Sequence, residues 1–373
     1  MQKIIPKLAI ILLVVMLLLS FSFFSCKTES SKEKDLVNIT FITPRGTVEV
    51  MDDYCLWVAK EMGYFSELGI NLIMEPGPLD ALATCKFVDQ KQADIGYPSP
   101  GVLTASIDAG MDVIMIYDLM ATQVFDFAMR PDSDIKTIKD LEGRTISLGT
   151  PGWQVIVDPI LVEAGVDPST VEYVNAGDQW GQAAALGQAD VALCWKGLRS
   201  QWLAQGLDLR FLIGGVDFSK MPANGYCIRK SDLKDEKQTD ILVKALKGSA
   251  MGIHFTRNNP RAAAQITYGL FPAVQEQMTP ELAFASLQEL HELYSWAERN
   301  GYGYGWASEE AWGEYLQILA DLGQTKTLLP LEDVFTSEYI DRINDFDHGK
   351  VAEDARNYKL DEVWSKIEVK GVW

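Results

Sequence analysis

Positive charge is the first thing this chain lacks. It carries 33 Lys and Arg against 52 Asp and Glu, a formal net charge of −19. No cluster of basic residues could follow a phosphate backbone, so nucleic acid is excluded as a partner. Histidine is scarcer still, with three in 373 residues. His254, His291 and His348 all fall late in the chain, far from the loops considered below. The five cysteines lack the paired spacing of a metal site. Cys55, Cys85, Cys194 and Cys227 read as scattered, buried small hydrophobes, although an exported location would permit bridges. No nucleophile-elbow pattern occurs. The glycine-rich Gly301-Tyr302-Gly303-Tyr304-Gly305 follows a helical run with the wrong spacing for a dinucleotide loop, and reads as a helix connection. A catalytic constellation, a metal and a cofactor are therefore not expected.

There is a single long apolar run. After Lys3 and Lys7 it extends from Leu8 to Leu19 and ends in Ser20-Phe21-Ser22-Phe23-Phe24-Ser25-Cys26. This is an export signal. A small residue directly before a cysteine, followed by a polar stretch from Lys27 to Lys34, resembles a bacterial lipoprotein signal. The resemblance implies a signal peptide over 1–25, lipidation of Cys26 and a tether over 26–35. An uncleaved membrane anchor is the alternative, since about eighteen apolar residues approach spanning length. Both place the folded part outside the cytoplasmic membrane, where the excess acid serves solubility.

The remaining residues are too many for one ordinary core, and two lobes are expected. Val37–Ile42 alternates as a strand, Met51, Tyr54, Cys55, Val58 and Met62 recur at helical spacing, and Gly63 ends that helix. Strands at Asn71–Met74, Ala93–Tyr97 and Asp112–Tyr117 alternate with helices at Leu79–Val88 and after Gly101. A second unit repeats the pattern, with strands at Phe125–Met129, Ile146–Leu148, Val171–Val174, Ala189–Leu193 and Leu209–Ile213. Asp178 is a candidate cap for a helix over Gln179–Leu186. The alternation predicts an α/β protein in which each lobe is a mostly parallel sheet flanked by helices. Gly225–Arg229 returns to the first lobe, and beyond it Asp235–Arg257, Pro260–Gly269, Thr279–Trp296 and Ser308–Leu322 form a helical C-terminal part. The lobes are expected at 36–121 plus 229–373 and at 122–228.

At the centre of the second unit, Gly143 to Trp153 reads as strand, tight loop and helix start. A helix N-terminus at the carboxyl edge of an open sheet aims unpaired N–H groups at a crevice, although an ordinary turn is the simpler reading.

Val58-Ala59-Lys60-Glu61-Met62-Gly63-Tyr64-Phe65-Ser66-Glu67-Leu68-Gly69-Ile70 resembles a signature of extracytoplasmic solute-binding proteins of the nitrate, sulfonate, taurine and thiamine-precursor group. Gln92–Gly96 with Ser99-Pro100-Gly101, and Ile135–Arg144, match further elements of that family in order. Ala311–Tyr315, Leu322-Gly323 and Asp333–Ile340 resemble its thiamine-pyrimidine branch. The resemblance implies a two-lobed periplasmic binding protein fold of type II. It also implies a small ligand held between the lobes and an ABC permease as partner, and the chain is read as a monomer. A related intracellular thiamine-pyrimidine synthase carries a cysteine-rich motif that has no counterpart here.

Candidate ligand contacts lie at strand C-terminal ends: Thr43, Pro44, Arg45 and nearby Asp53, Tyr97, Ser99, Tyr117, Asp118, Thr150, Gly152, Trp153, Asp178, Trp180, Trp195 and Lys196. The aromatic rings offer flat faces to a planar ligand. Arg45 and Lys196 would suit an anion such as a sulfonate; Asp53, Asp118 and Asp178 would suit a protonated amine or ring nitrogen. The aromatic count favours a planar nitrogen heterocycle.

Overall fold

The computed structural model describes residues 36–78, 83–217, 219 and 221–368. The expected signal peptide, Cys26 and the tether lie outside the described residues, as does the first turn of the helix expected from Leu79. Ten strands follow in chain order: β1 (Val37–Ile42), β2 (Ile70–Glu75), β3 (Ile95–Gly96), β4 (Val113–Tyr117), β5 (Phe125–Met129), β6 (Thr145–Leu148), β7 (Glu172–Asn175), β8 (Val191–Trp195), β9 (Arg210–Leu212) and β10 (Tyr226–Arg229). They form two five-stranded sheets, β2-β1-β3-β10-β4 and β7-β6-β8-β5-β9. In the first only β10 opposes the common direction, and in the second only β5. Both sheets are therefore mostly parallel, as the alternation predicted. All residues of β4 and β5 are buried, as expected of strands covered on both faces.

The chain passes between the sheets twice, after β4 and before β10. Because Tyr226–Arg229 pairs with β3 and β4, a division drawn from the sheets falls before Tyr226 rather than at 229. The crossings are braced locally. Gln123 Oε1 accepts the N–H groups of Val124 and Phe125. A Cβ on Gly214 would come within 2.2 Å of the Phe125 carbonyl oxygen, so only glycine fits this close approach.

The helices that position the cleft are α1 (Tyr54–Glu61), α2 (Pro100–Asp108), α3 (Gln154–Glu163), α4 (Glu236–Asn258), α5 (Pro280–Tyr294) and α6 (Glu309–Asp321). The last three belong to the helical C-terminal part. Helix α4 carries apolar residues at helical spacing and lies directly on α1, where a Cβ on Gly252 would fall 1.9 Å from the Cys55 carbonyl oxygen. Gly301–Gly305 connects helices, as its spacing suggested. Cys55, Cys85, Cys194 and Cys227 are free and buried.

Candidate functional site

The parallel strands end at one edge, and their loops build two unlike faces. On the first-sheet side, β1 runs into a loop held by Thr43, whose hydroxyl donates to the Arg45 carbonyl at 2.9 Å, and by Gly77, whose N–H donates to the same carbonyl at 2.7 Å. That folds the Arg45 guanidinium onto two carboxylates. It hydrogen-bonds Asp53 and lies 3.6 Å from Asp52. Tyr97 packs at the end of β3, its ring centroid 5.9 Å from the Arg45 Cζ. Its hydroxyl is 3.3 Å from that of Tyr294, which donates to the Asp52 carbonyl at 2.9 Å. Tyr54 stacks on Tyr294.

Burial pushes the Asp52 carboxyl up to about 6; Arg45 opposes the shift, Asp53 adds to it, and the Trp195 side chain lowers it from across the cleft. Burial works against the Arg45 charge, but Asp53 and Asp52 outweigh it and hold the guanidinium protonated. Four buried polar atoms in these loops have no protein partner: Arg45 Nε, Asp52 Oδ1, Asp53 Oδ1 and Ser99 Oγ. Unpaired buried groups are costly, and two carboxylate oxygens beside a guanidinium whose own Nε is unpaired, with a fourth atom two residues beyond Tyr97, mark a place where a ligand could supply partners.

The second-sheet face is aromatic. Trp195 ends β8, Trp180 opens a short helix and Trp153 closes the turn after β6. Trp180 and Trp195 stack with centroids 5.9 Å apart, and Trp153 meets both edge-on at 5.2 and 5.8 Å. Trp180 donates its indole N–H to the Leu193 carbonyl, which fixes the ring. A Cβ on Gly149 would lie 2.7 Å from the Trp153 ring, so glycine allows that ring to fold back over the strand end.

The structure thus brings Arg45, Asp53 and Tyr97 together, with Pro44 half-buried beside Arg45 and Ser99 buried at the start of α2. It also brings Trp153, Trp180 and Trp195 together. Other expected contacts stand elsewhere. Lys196 points into the second-sheet core, 3.0 and 2.6 Å from the carbonyls of Gln123 and Gly214 and 3.4 Å from Asp126 Oδ1. Its three donors are spent, so it is no anion ligand. Asp118 is buried at the first crossing, where its N–H donates to Gly305 and its carboxylate accepts from the Trp312 indole. Burial raises its pKa well above the usual range. Tyr117 stacks on Tyr226 inside the core. Asp178 is exposed and makes no capping bond. At the turn after β6, Thr150 Oγ1 accepts the Gly152 N–H at 3.2 Å and its carbonyl accepts the Trp153 N–H at 3.1 Å, so these donors are satisfied within the loop.

Sequence reasoning missed Asp52 and Tyr294. The Asp52-Asp53 doublet beside a cleft loop was a usable signal; Tyr294 sits at the end of an amphipathic helix and carries none.

Two mixed α/β halves with loops facing a shared cleft define the periplasmic binding protein fold, and solved structures agree. The aliphatic sulphonate binding protein SsuA of Escherichia coli superposes with a TM-score of 0.58 at 13% identity, over 80% of this chain and 91% of that one. The alkanesulfonate-binding SsuA of Xanthomonas axonopodis pv. citri, bound to MOPS, gives 0.58 at 12% identity over 80% and 98%. A mutant of DszB in complex with biphenyl-2-sulfinic acid gives 0.55 at 12% identity over 82% of this chain and 98% of that one. No curated protein sequence matches. The NMT1/THI5-like family model matches residues 53–263, more than half of the chain, and the chain belongs to that family.

Proposed function

We propose that this protein is the substrate-binding component of an ABC importer. It captures a small planar nitrogen heterocycle of the thiamine-pyrimidine kind between two lobes, one built on each sheet, and hands it to a permease without chemical change. In this reading Cys26 carries the lipid that anchors a monomer outside the cytoplasmic membrane. The observation that carries the choice of ligand is the charge of the first face. Two carboxylates share one guanidinium, and the unpartnered Asp52 Oδ1 and Asp53 Oδ1 are acceptors suited to amino and ring N–H donors. The indoles opposite supply flat apolar area. A sulfonate is the second reading, favoured by the sulfonate-binding structural relatives and by the presence of Arg45. It would use the unpartnered Arg45 Nε, and it would set the anion beside the carboxylates of Asp52 and Asp53.

Calorimetry with 4-amino-5-hydroxymethyl-2-methylpyrimidine and with MOPS, on protein stripped of co-purified ligand, separates the two. The heterocycle is expected to bind and to be recovered with unchanged mass, and Trp195→Ala is expected to weaken it by about 1 to 3 kcal/mol, as for other aromatic stacking contacts. Binding of MOPS alone would overturn the heterocycle; chemical turnover would overturn the receptor.

A further inference from the structure

The segment after β8 does more than present Trp195. Two residues on, the Gly197 N–H donates to Glu289 Oε2 of α5 at 2.9 Å, and the Ser200 hydroxyl donates to Glu289 Oε1 at 3.1 Å. Ser286, one turn earlier on α5, donates to the Gly197 carbonyl at 2.9 Å. Arg199 Nε lies 3.4 Å from Glu289 Oε2 and 3.3 Å from the buried Asp126 of β5, linking the contact to the second-sheet core. Gly197 has φ +91°, and a Cβ there would come 2.9 Å from Leu290 Cδ1 and 3.3 Å from Asp52 Oδ1, so a larger residue could not be seated so close.

We propose that Glu289 is a positioning residue for the cleft: by clasping Gly197 and Ser200 it holds Trp195 against Asp52 and favours the closed arrangement of the lobes, without touching ligand itself. The inference rests on the binding-protein reading above. Its physical basis is that the bonds from Gly197 and Ser200 to Glu289 join the segment after β8 to a helix whose Tyr294 bonds Asp52 and stacks on Tyr54 of the first-sheet side. Bonds that form when the faces meet would have a free energy differential between closed and open forms. The clasp and the Trp195 ring share one short, braced segment and must move together. At the opposite rim a second contact spans the same gap, where the Gln324 side-chain amide donates to Asp158 Oδ2 of α3 at 3.1 Å.

That second rim provides the test. Hydrogen exchange measured by mass spectrometry on the ligand-free full chain reads residues 196–201 beside the clasp and, at the Gln324–Asp158 contact, residues 157–161 and 322–325, which exclude Trp153 because its ring touches Trp195. In Glu289→Ala, exchange is expected to quicken about tenfold in all three segments, the factor that losing hydrogen bonds to a charged group carries. Glu289→Gln, whose amide oxygen can still accept from the Gly197 N–H while its NH2 donates to the Ser200 hydroxyl oxygen, should restore most of the protection at the far rim. Acceleration confined to 196–201 would overturn the proposal, because a local brace would loosen only its own neighbours. If Glu289→Ala does not fold, Ser200→Ala, which removes one of the two bonds Glu289 accepts, decides by the same far-rim readout: faster exchange there supports the clasp and unchanged exchange overturns it. No ligand enters the measurement, so failure of the heterocycle to bind leaves this result standing.

Discussion

The two faces of the cleft solve opposite problems. The first-sheet face buries charge and leaves carboxylate oxygens unpaired, whereas the second-sheet face presents indole rings and turns its one nearby lysine inward. A polar face of this kind discriminates, because any ligand without matching donors strands buried oxygens. An aromatic face adds area with little demand on chemistry. In the proposed receptor, ligand identity would be written mainly in Arg45, Asp52 and Asp53, and affinity mainly in Trp153 and Trp195. Arg45 and Lys196 sharpen the contrast, since both are cations after strand ends, the first half-buried and the second buried. The first is held by acids at the cleft, the second by carbonyls and Asp126 in a core.

The largest expected effect tests that contrast. Lys196→Met should strand the Gln123 and Gly214 carbonyls, leave Asp126 with Arg199 as its remaining charge partner, and cost about 3–5 kcal/mol of stability, as the loss of one partner from a buried ion pair does. Urea unfolding measures the loss, and the folded fraction should bind ligand as the parent does. A variant that unfolds like the parent but no longer binds would move Lys196 back into the cleft.

A smaller effect concerns Asp52. Its carboxyl sits at about 6 in the folded protein against an ordinary 3.8, so the folded state holds this proton more tightly than the unfolded chain. The contribution to stability is greatest below about pH 4, declines as pH rises towards 6 and is level above, a span of at most about 3 kcal/mol. Asp52→Asn should remove this slope, so the stability of the variant minus that of the parent should grow between pH 4 and pH 7 in urea titrations. A difference independent of pH would mean that Asp52 is already ionised throughout the range. Binding should show the mirror image for a donor-rich heterocycle, tighter as Asp52 ionises.

Much of this molecule could be read from its residues. Alternating Val37–Ile42, the apolar spacing from Met51 to Met62 and the strand, loop and helix at Gly143–Glu163 all stand where local pattern put them, because periodicity and glycine or proline punctuation act over a few residues. The aromatic cluster was legible too, since Trp195 ends one strand and Trp153 and Trp180 each follow another. Side-chain direction was not. Trp195 and Lys196 are adjacent at the end of β8, and sequence cannot say which faces the cleft and which the core where a strand gives way to a turn. Nor could it see that Tyr294, on a helix distant in sequence, would close the floor under Asp52.

The smallest expected effect falls on Thr150, and it decides whether the turn after β6 grips anything. A helix entrance attracts an anionic or polar edge when its N–H groups are free. Here the Thr150 hydroxyl accepts the Gly152 N–H and the Thr150 carbonyl accepts the Trp153 N–H, leaving little to offer a ligand. Thr150→Ala removes the first bond alone and should cost about 1 kcal/mol of stability, the usual value of an N-cap. If the turn only supports Trp153, calorimetric affinity for the heterocycle should stay within about twofold of the parent, well below the tenfold that 1.4 kcal/mol represents. An affinity that falls tenfold or more would give the Thr150 hydroxyl a direct role. One that rises would mean that the freed Gly152 N–H reaches the ligand, and in both cases polar recognition would extend to the second face.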